Sequence, residues 1–333
     1  MTRESRIHRA PLAFAALITV VVGVGGGAGV FLAADRQESS VARVEGVDEV
    51  LDANDGAAEN YLIVGSDSRA DLPDEEVEAP GSRSDSIMIL RRDPDGGAAL
   101  LSIPRDLWVP IAETGDEWKI NAAFQGGADR LIQTIQDALG IQINHYIEVD
   151  FDGFSRLVDT FGGVDICVPY AAQDEGSGLS IDQGCQTLEG PQALAFVRSR
   201  HYEEWIDGDW VADNKNDFGR MERQQTFLRT AATAVLDELK DNPFMLGNLL
   251  DAAGGLVSFD PGLDLFDAAE SIRAAFQEGL RTFSLPAAQA WHGDQDALDI
   301  VDADAAPILA YFRGEGPLPP EAAATETTTA DGG

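Results

Sequence analysis

Positive charge is scarce in this chain. Lysine occurs only at Lys119, Lys215 and Lys240, and 23 basic residues face 58 acidic ones, for a formal net charge of −35. So acidic a surface repels a polyanion over most of its area, which excludes broad binding to DNA or RNA. Histidine is equally sparse. His8, His145, His201 and His292, taken with two cysteines, form no zinc-ligand spacing. Catalytic signatures are missing too: no GxSxG elbow, SxxK pair or Cys/His couple marks a protein nucleophile, and no GxxxxGK loop marks a nucleotide site.

Long charge-free runs are also rare, with one exception. "PLAFAALITVVVGVGGGAGVFLAA", Pro11 to Ala34, is long enough to cross a bilayer as a helix. Arg3, Arg6 and Arg9 precede it, so the positive-inside rule predicts a single-pass membrane anchor with a cytoplasmic stub and the remainder outside. No small-x-small cleavage site stands before Asp35, which disfavours a removed signal peptide. Gly23/Gly27 and Gly25/Gly29 have GxxxG spacing, a face on which the membrane helix could form a homodimer. Cys167 and Cys185 both fall on the outer side. An even count in an oxidising compartment predicts a disulfide, with two buried thiols as the alternative.

Along the rest of the chain, strand and helix signals alternate. "NYLIVGSDS" reads as a strand ending at Gly65, and "DSIMILRRDPDGGAALLSIPRD" as two strands joined by a turn at Pro94 to Gly97. "ADRLIQTIQDALG" is a helix stopped by Gly140, followed by strand "INHYIEVD", helix "FDGFSRLVDTFGG" and strand "VDICVPY". Such alternation predicts a layered α/β domain. The expected organisation is a stub over 1–10, an anchor over 11–34, a linker over 35–59, an extracytoplasmic domain over 60–314 and a Pro/Thr/Ala-rich disordered tail over 315–333.

Five polar clusters each follow or open an apolar element: "GSDSR", "RSD", "SIPRD", "VRSR" and "DFGRMERQQ". Ligand sites of open α/β sheets lie where strand ends meet loops. Arg83, Arg105, Arg198, Arg200 and Arg220 bring more positive charge than two carboxylates neutralise, which suits a pyrophosphate gripped by planar guanidinium forks. Asp67 and Asp85 could then hold Mg²⁺, an ion that takes one or two carboxylates plus substrate phosphates. The helix beginning near Asp217 adds a further sign. Its core stripe of Leu228, Ala231, Val235 and Leu239 extends backwards through Gln224, Arg220 and Asp217, which aims polar side chains at the body of the domain. A guanidinium aimed inward needs a structural carboxylate or a bound anion.

The motifs "YLIVGSDSR", "RSDSIMIL", "LSIPRDLWV", "KINAAF", "HYIEVDFDGFSRLVDTFGGVDICV", "LEGPQALAFVRSRH" and "DFGRMERQQ", in this order, resemble the LytR–CpsA–Psr family over roughly Asn60 to Asp237. The resemblance implies an α/β/α sandwich around a central mixed sheet, behind an N-terminal transmembrane helix, with a lipid tail lodged in an apolar pocket between sheet and helices. It implies a phosphotransferase that moves a glycopolymer from a polyprenyl-pyrophosphate carrier onto peptidoglycan. By the same resemblance Asp67 and Asp85 match metal-linked aspartates, and Arg83, Arg105, Arg198, Arg200 and Arg220 match pyrophosphate-binding arginines. Gln224 stands beside them and Lys119 matches a further basic position. Asp85, Arg83 and Arg105 are the expected catalytic residues, although a metal-bound aspartate makes a poor general base. "HYEEWIDGDWVADNKN", His201 to Asn216, is longer and more acidic than in many members and resembles the actinobacterial branch. Rival readings are a membrane-anchored regulatory protein and a hydrolase of lipid pyrophosphate.

Overall fold

The computed structural model describes residues 42–53, 58–67, 83–94, 97–160, 162–213, 216–241, 257–264 and 280–320. The expected anchor at 11–34 lies outside them, as does the tail beyond 320. No helix among the described residues is long and apolar enough to cross a membrane.

In chain order the strands begin with β1 (Ala42–Arg43), β2 (Glu59–Asp67), β3 (Arg83–Arg92), β4 (Ala98–Ile103), β5 (Trp108–Pro110) and β6 (Glu117–Lys119). Helix α1 (Ala128–Leu139), β7 (His145–Asp150), α2 (Phe151–Thr160) and β8 (Val164–Val168) follow. Next come β9 (Ala172–Asp174), β10 (Leu179–Ile181), β11 (Gly184–Leu188), α3 (Gly190–Arg198), β12 (Glu203–Ile206), β13 (Asp209–Ala212) and α4 (Asn216–Asp241). The chain closes through β14 (Val257–Phe259), β15 (Leu280–Ser284), β16 (Ala287–His292), β17 (Gln295–Ile300) and α5 (Asp302–Phe312).

Seven strands form the central mixed sheet in the order β1-β14-β7-β2-β3-β4-β15. Both of its faces are covered, which is why β2, β3 and β4 read as unbroken apolar runs rather than as alternation. On one face Tyr61, Ile63, Met88, Leu100 and Val149 pack with residues of α2, α3 and α4. On the other, Leu62, Val64, Ile87, Ile89 and Leu101 pack with α1 and α5. In α1 the apolar stripe Leu131, Ile132, Ile135 and Leu139 is fully buried, and Gly140 ends the helix in the left-handed conformation at φ 68°.

Two sequence expectations change in detail, and a segment without an assignment gains one. The first strand does not end at Gly65 but runs to Asp67, because β3 extends to Arg83 and supplies partners for Ser66 and Asp67. Part of the expected linker belongs to the domain: β1 pairs with β14, Val47 is buried, and Arg43 donates to the carbonyls of Asp260 and Leu263. The acidic segment after His201 forms a hairpin, β12–β13, within a four-stranded sheet ordered β10-β9-β12-β13.

Cys167 and Cys185 sit directly opposite each other on antiparallel β8 and β11 and are disulfide-bonded. They occupy the outer side of this pair, since Val164, Ile166 and Val168 take the buried one. The bond closes a loop across a sequence separation of 18, which in the chain-entropy account contributes about 3 kcal/mol. Alkylation of the unreduced chain is therefore expected to find no free thiol. Two reactive thiols would contradict the pairing.

Candidate functional site

One end of the central sheet collects the polar motifs. Asp67 at the end of β2 pairs with Arg83 at the start of β3. Between them the register shifts: Gly65 pairs with Ser86 but Ser66 pairs with Ser84, so Asp85 is the extra residue of a β-bulge. Bulges bend a strand and re-aim its residues, and they recur beside active sites. Ile103 at the end of β4 pairs with Ile87, so Arg105 emerges at the same end. The side chains of Asp67, Arg83 and Asp85 lie outside the described residues. Their backbones already bring three separated motifs to one edge.

Beside this edge, on the face covered by α2, α3 and α4, lies a cavity of ≈ 270 Å³. Its inner wall is apolar, from Ile63 and Met88 of the sheet, Val149, Phe154 of α2, Leu194 of α3 and Phe227 of α4. Gly65 lines it as well. The polar wall carries Arg198, Arg200, Arg220 and Gln224. Four of the residues singled out from sequence thus meet at one cavity from two helices and a loop.

The local chain path explains this convergence. Arg198 is the last residue of α3, and Ser199 leaves the helix with φ −58° and ψ 131°. One extended residue between two arginines turns Arg198 and Arg200 to the same side and Ser199 to the other. Ser199 is fully buried, and its hydroxyl donates to Asp174 at 2.7 Å. Arg220 comes from the first turns of α4 and is only 3% exposed, whereas Arg198 is exposed and Arg200 half-buried. Gln224, one turn further, donates to the carbonyl of Val197 and accepts from Ser86, which fixes the end of α3 against β3.

Asp174 escaped the sequence reading. It is the carboxylate of the cavity wall, 1% exposed at the end of β9. Besides Ser199 it accepts backbone N–H bonds from Arg200 at 2.8 Å, His201 at 3.0 Å and Gly176 at 2.8 Å. Burial by itself would raise its pKa, but these hydrogen bonds together outweigh burial and lower it to about 2. The carboxylate is therefore ionised and committed to pinning the loop that presents Arg200. The signal was present in "QDEGSG", where an Asp two residues before Gly marks an Asx turn. Arg223 supports the same loop. It donates to the Ser199 carbonyl and to Asp213, and its guanidinium lies 4.4 Å from the Tyr202 ring centroid.

Arg105 and Lys119 both approach Asp106, at 3.6 and 3.3 Å, at the sheet edge rather than in the cavity wall. They stand beyond the end of β4, where the Asn121 N–H donates to the Arg105 carbonyl. Among the described residues no three His, Cys, Asp or Glu side chains cluster as metal ligands.

A cavity with a cationic wall and an apolar interior, beside the bulged end of a mixed sheet, suits an amphiphile with an anionic head. The family model of the LytR_cpsA_psr family matches residues 30–309. The chain belongs to the LytR–CpsA–Psr family. It is 33% identical over 292 residues to a probable cell wall biosynthesis protein, LcpB, of Corynebacterium glutamicum, covering 85% of this chain and 67% of that one. It is also 33% identical to TagV of Bacillus subtilis, a polyisoprenyl-teichoic acid–peptidoglycan teichoic acid transferase, covering 70% of this chain and 58% of TagV. Among solved structures, a LytR-Csp2A-Psr enzyme from Actinomyces oris superposes with a TM-score of 0.65 at 25% identity, covering 82% of this chain and 95% of that one.

Proposed function

We propose that this family member is a glycopolymer phosphotransferase of the cell envelope. It would take a glycan from a polyprenyl-pyrophosphate carrier and join it to peptidoglycan through a phosphodiester. The observation that carries this reading is the cavity itself, with three arginines on one wall and isoprenoid-compatible residues lining the rest. The activities named for TagV and its relatives point the same way. Residues 11–34 would anchor the chain in the membrane and set the domain outside it, where the lipid carrier can enter the cavity from the bilayer.

Chemically, a sugar hydroxyl of the acceptor attacks the phosphorus next to the glycan. The new P–O bond forms as the bond to the bridging oxygen breaks, the hydroxyl proton passes to solvent or to the departing phosphate, and the carrier leaves as lipid monophosphate. Arg198, Arg200 and Arg220 hold the charge that grows on the departing phosphate. Asp174 contributes by positioning Arg200, and Gln224 by locking α3 to β3. Arg83 and Arg105 would take the phosphate oxygens at the sheet edge.

Asp67 and Asp85 fit a magnesium site by the chemistry of their donors, since they would supply carboxylate oxygens from the ends of adjacent paired strands. Mg²⁺ held there would neutralise pyrophosphate charge. The test uses the full chain with lipid-linked glycan and peptidoglycan oligomers. Phosphodiester product is expected only with both substrates present. Asp67→Asn and Asp85→Asn are expected to abolish Mg²⁺-dependent turnover while lipid pyrophosphate still binds. Full turnover by both variants in the presence of EDTA would remove the metal from the proposal, and water-only turnover would make the protein a hydrolase.

A further inference from the structure

We propose that His201 is the general base of the transfer, the group that first takes the proton of the attacking hydroxyl. The assignment rests on the transferase reading above. It adds a residue to the one step for which that reading names none.

Burial orders the cavity from its floor to its mouth. The apolar side chains of Ile63, Met88 and Phe227 are buried, and Arg220 is only 3% exposed. Arg200 is half-buried, whereas Arg198 and His201, which line the same cavity, are exposed. An isoprenoid chain fills the apolar end, so its pyrophosphate meets the arginines and the glycan points outwards. The phosphorus next to the glycan is therefore the outer of the two. A wall polymer is too large for a cavity of ≈ 270 Å³ and must reach that phosphorus from the mouth. His201 stands there.

The chemistry of the wall leaves one base. Arg198, Arg200 and Arg220 keep their protons and have no acceptor atom. Gln224 and Ser86 are bonded to each other, and neither side chain takes up a proton near neutrality. Asp174 already accepts from the Ser199 hydroxyl and from the amides of Arg200, His201 and Gly176, which hold its pKa at about 2. A carboxylate held so low is a weak base. Imidazole is the side chain that exchanges protons between about pH 5 and 8.

The His201 ring is also uncommitted. Nδ1 of His145 lies 3.3 Å from Asp260, and Nε2 of His292 lies 2.8 Å from Asp299, so both of those rings have carboxylate partners. The His201 ring has none among the described residues. Its position is nevertheless set. The His201 N–H donates to Asp174 at 3.0 Å, and Nδ1 lies 3.5 Å from the point where a Cβ on Gly176 would stand. The ring thus rests on the turn between β9 and β10. From that turn Ser177 lines the cavity with a buried hydroxyl that has no hydrogen-bond partner among the described residues. Such a hydroxyl is costly unless a ligand atom meets it. The charged groups that share this wall are Asp174 from β9, Arg198 and Arg200 from the segment of His201 itself, and Arg220 from α4.

In the step, a neutral ring nitrogen accepts the hydroxyl proton while the oxygen lone pair forms the new P–O bond. The bond to the bridging oxygen breaks, and its electron pair leaves with the lipid phosphate. The imidazolium then gives its proton to solvent or to the departing phosphate.

The test uses the full chain in detergent with lipid-linked glycan and peptidoglycan oligomers, assayed from acid to alkaline pH. His201→Gln is expected to lower kcat by about 10²–10⁴-fold, the range of a general base. Lipid-pyrophosphate affinity and the melting curve should not change, because the bond to Asp174 comes from the backbone. The parent rate should rise with pH through the imidazole range, and the variant should lose that rise. Free imidazole should restore His201→Ala in proportion to its concentration, a rescue that a structural side chain does not show. A parent-like kcat in His201→Gln would overturn the assignment, even if lipid-pyrophosphate binding weakened. So would a slow His201→Ala that imidazole leaves unchanged. No transfer by the parent would overturn the enzymatic reading, and the base with it.

Discussion

Arg220→Ala is expected to lower transfer by about 10²–10³-fold, the loss seen when one preorganised charge-stabilising donor is removed. Arg220 is 3% exposed and reaches the cavity from the early turns of α4, where Phe227 and Leu228 anchor the helix in the core. Its burial holds the guanidinium at the cavity wall before the substrate arrives. Arg220→Lys should restore only part of the rate, because an ammonium cannot make the two-pronged contact. A melting curve on each variant separates catalysis from folding. Arg198→Ala provides the second check, since Arg198 is exposed and its removal leaves the core intact. Lipid-pyrophosphate binding unchanged in Arg198→Ala, Arg200→Ala and Arg220→Ala alike would make these arginines structural.

Asp174→Ala is expected to damage both stability and binding. It strips the acceptor from the Ser199 hydroxyl and from the Arg200, His201 and Gly176 amides. Buried or half-buried donors left without partners cost about 1–3 kcal/mol each, so a loss of roughly 3 kcal/mol or more is expected. Arg200 then loses its anchoring, and lipid-pyrophosphate affinity should fall along with the melting temperature. The pH dependence has a defined sign. The Asp174 pKa is about 2 in the folded chain, below its ordinary value of 3.8. Its ionised form is therefore favoured by folding. This contribution is complete above a pH of about 4 and fades as the pH falls through the folded value. Melting curves of parent and Asp174→Asn from neutral pH downwards should lie well apart near neutrality and converge towards pH 2, to about the extent the shift implies. A constant gap across the whole range would show that the charge of Asp174 is not what holds the loop.

Much of the fold could be read from the chain because local signals agreed with the tertiary outcome. The Leu131/Ile135/Leu139 stripe and Gly140 define α1, and the apolar runs of β2, β3 and β4 betray a sheet covered on both faces. Arg198, Arg200, Arg220 and Gln224 could be grouped because each adjoins an apolar element whose direction the sequence sets. Other features depend on partners distant in sequence. Ser66 and Asp67 belong to β2 only because β3 begins early enough to pair with them, and Ala42–Arg43 is a strand only because β14 offers an edge. Asp174 lay in an acidic, Gly-rich segment that reads as a solvated loop. Burial there comes from Ser199, 25 positions away, returning beneath it. Arg105 and Lys119 share Asp106, a contact that the spacing of the motifs does not reveal.

The most direct test follows the phosphorus. The carrier is prepared with ³²P only in the phosphate next to the glycan, then incubated with the full chain, Mg²⁺ and peptidoglycan oligomers. Attack on that phosphorus carries the label into the peptidoglycan fraction, in a phosphodiester that joins glycan to acceptor, and unlabelled lipid monophosphate is released. Label that stays with the lipid as pyrophosphate, or appears only as a free glycan phosphate whether or not acceptor is present, would contradict the account.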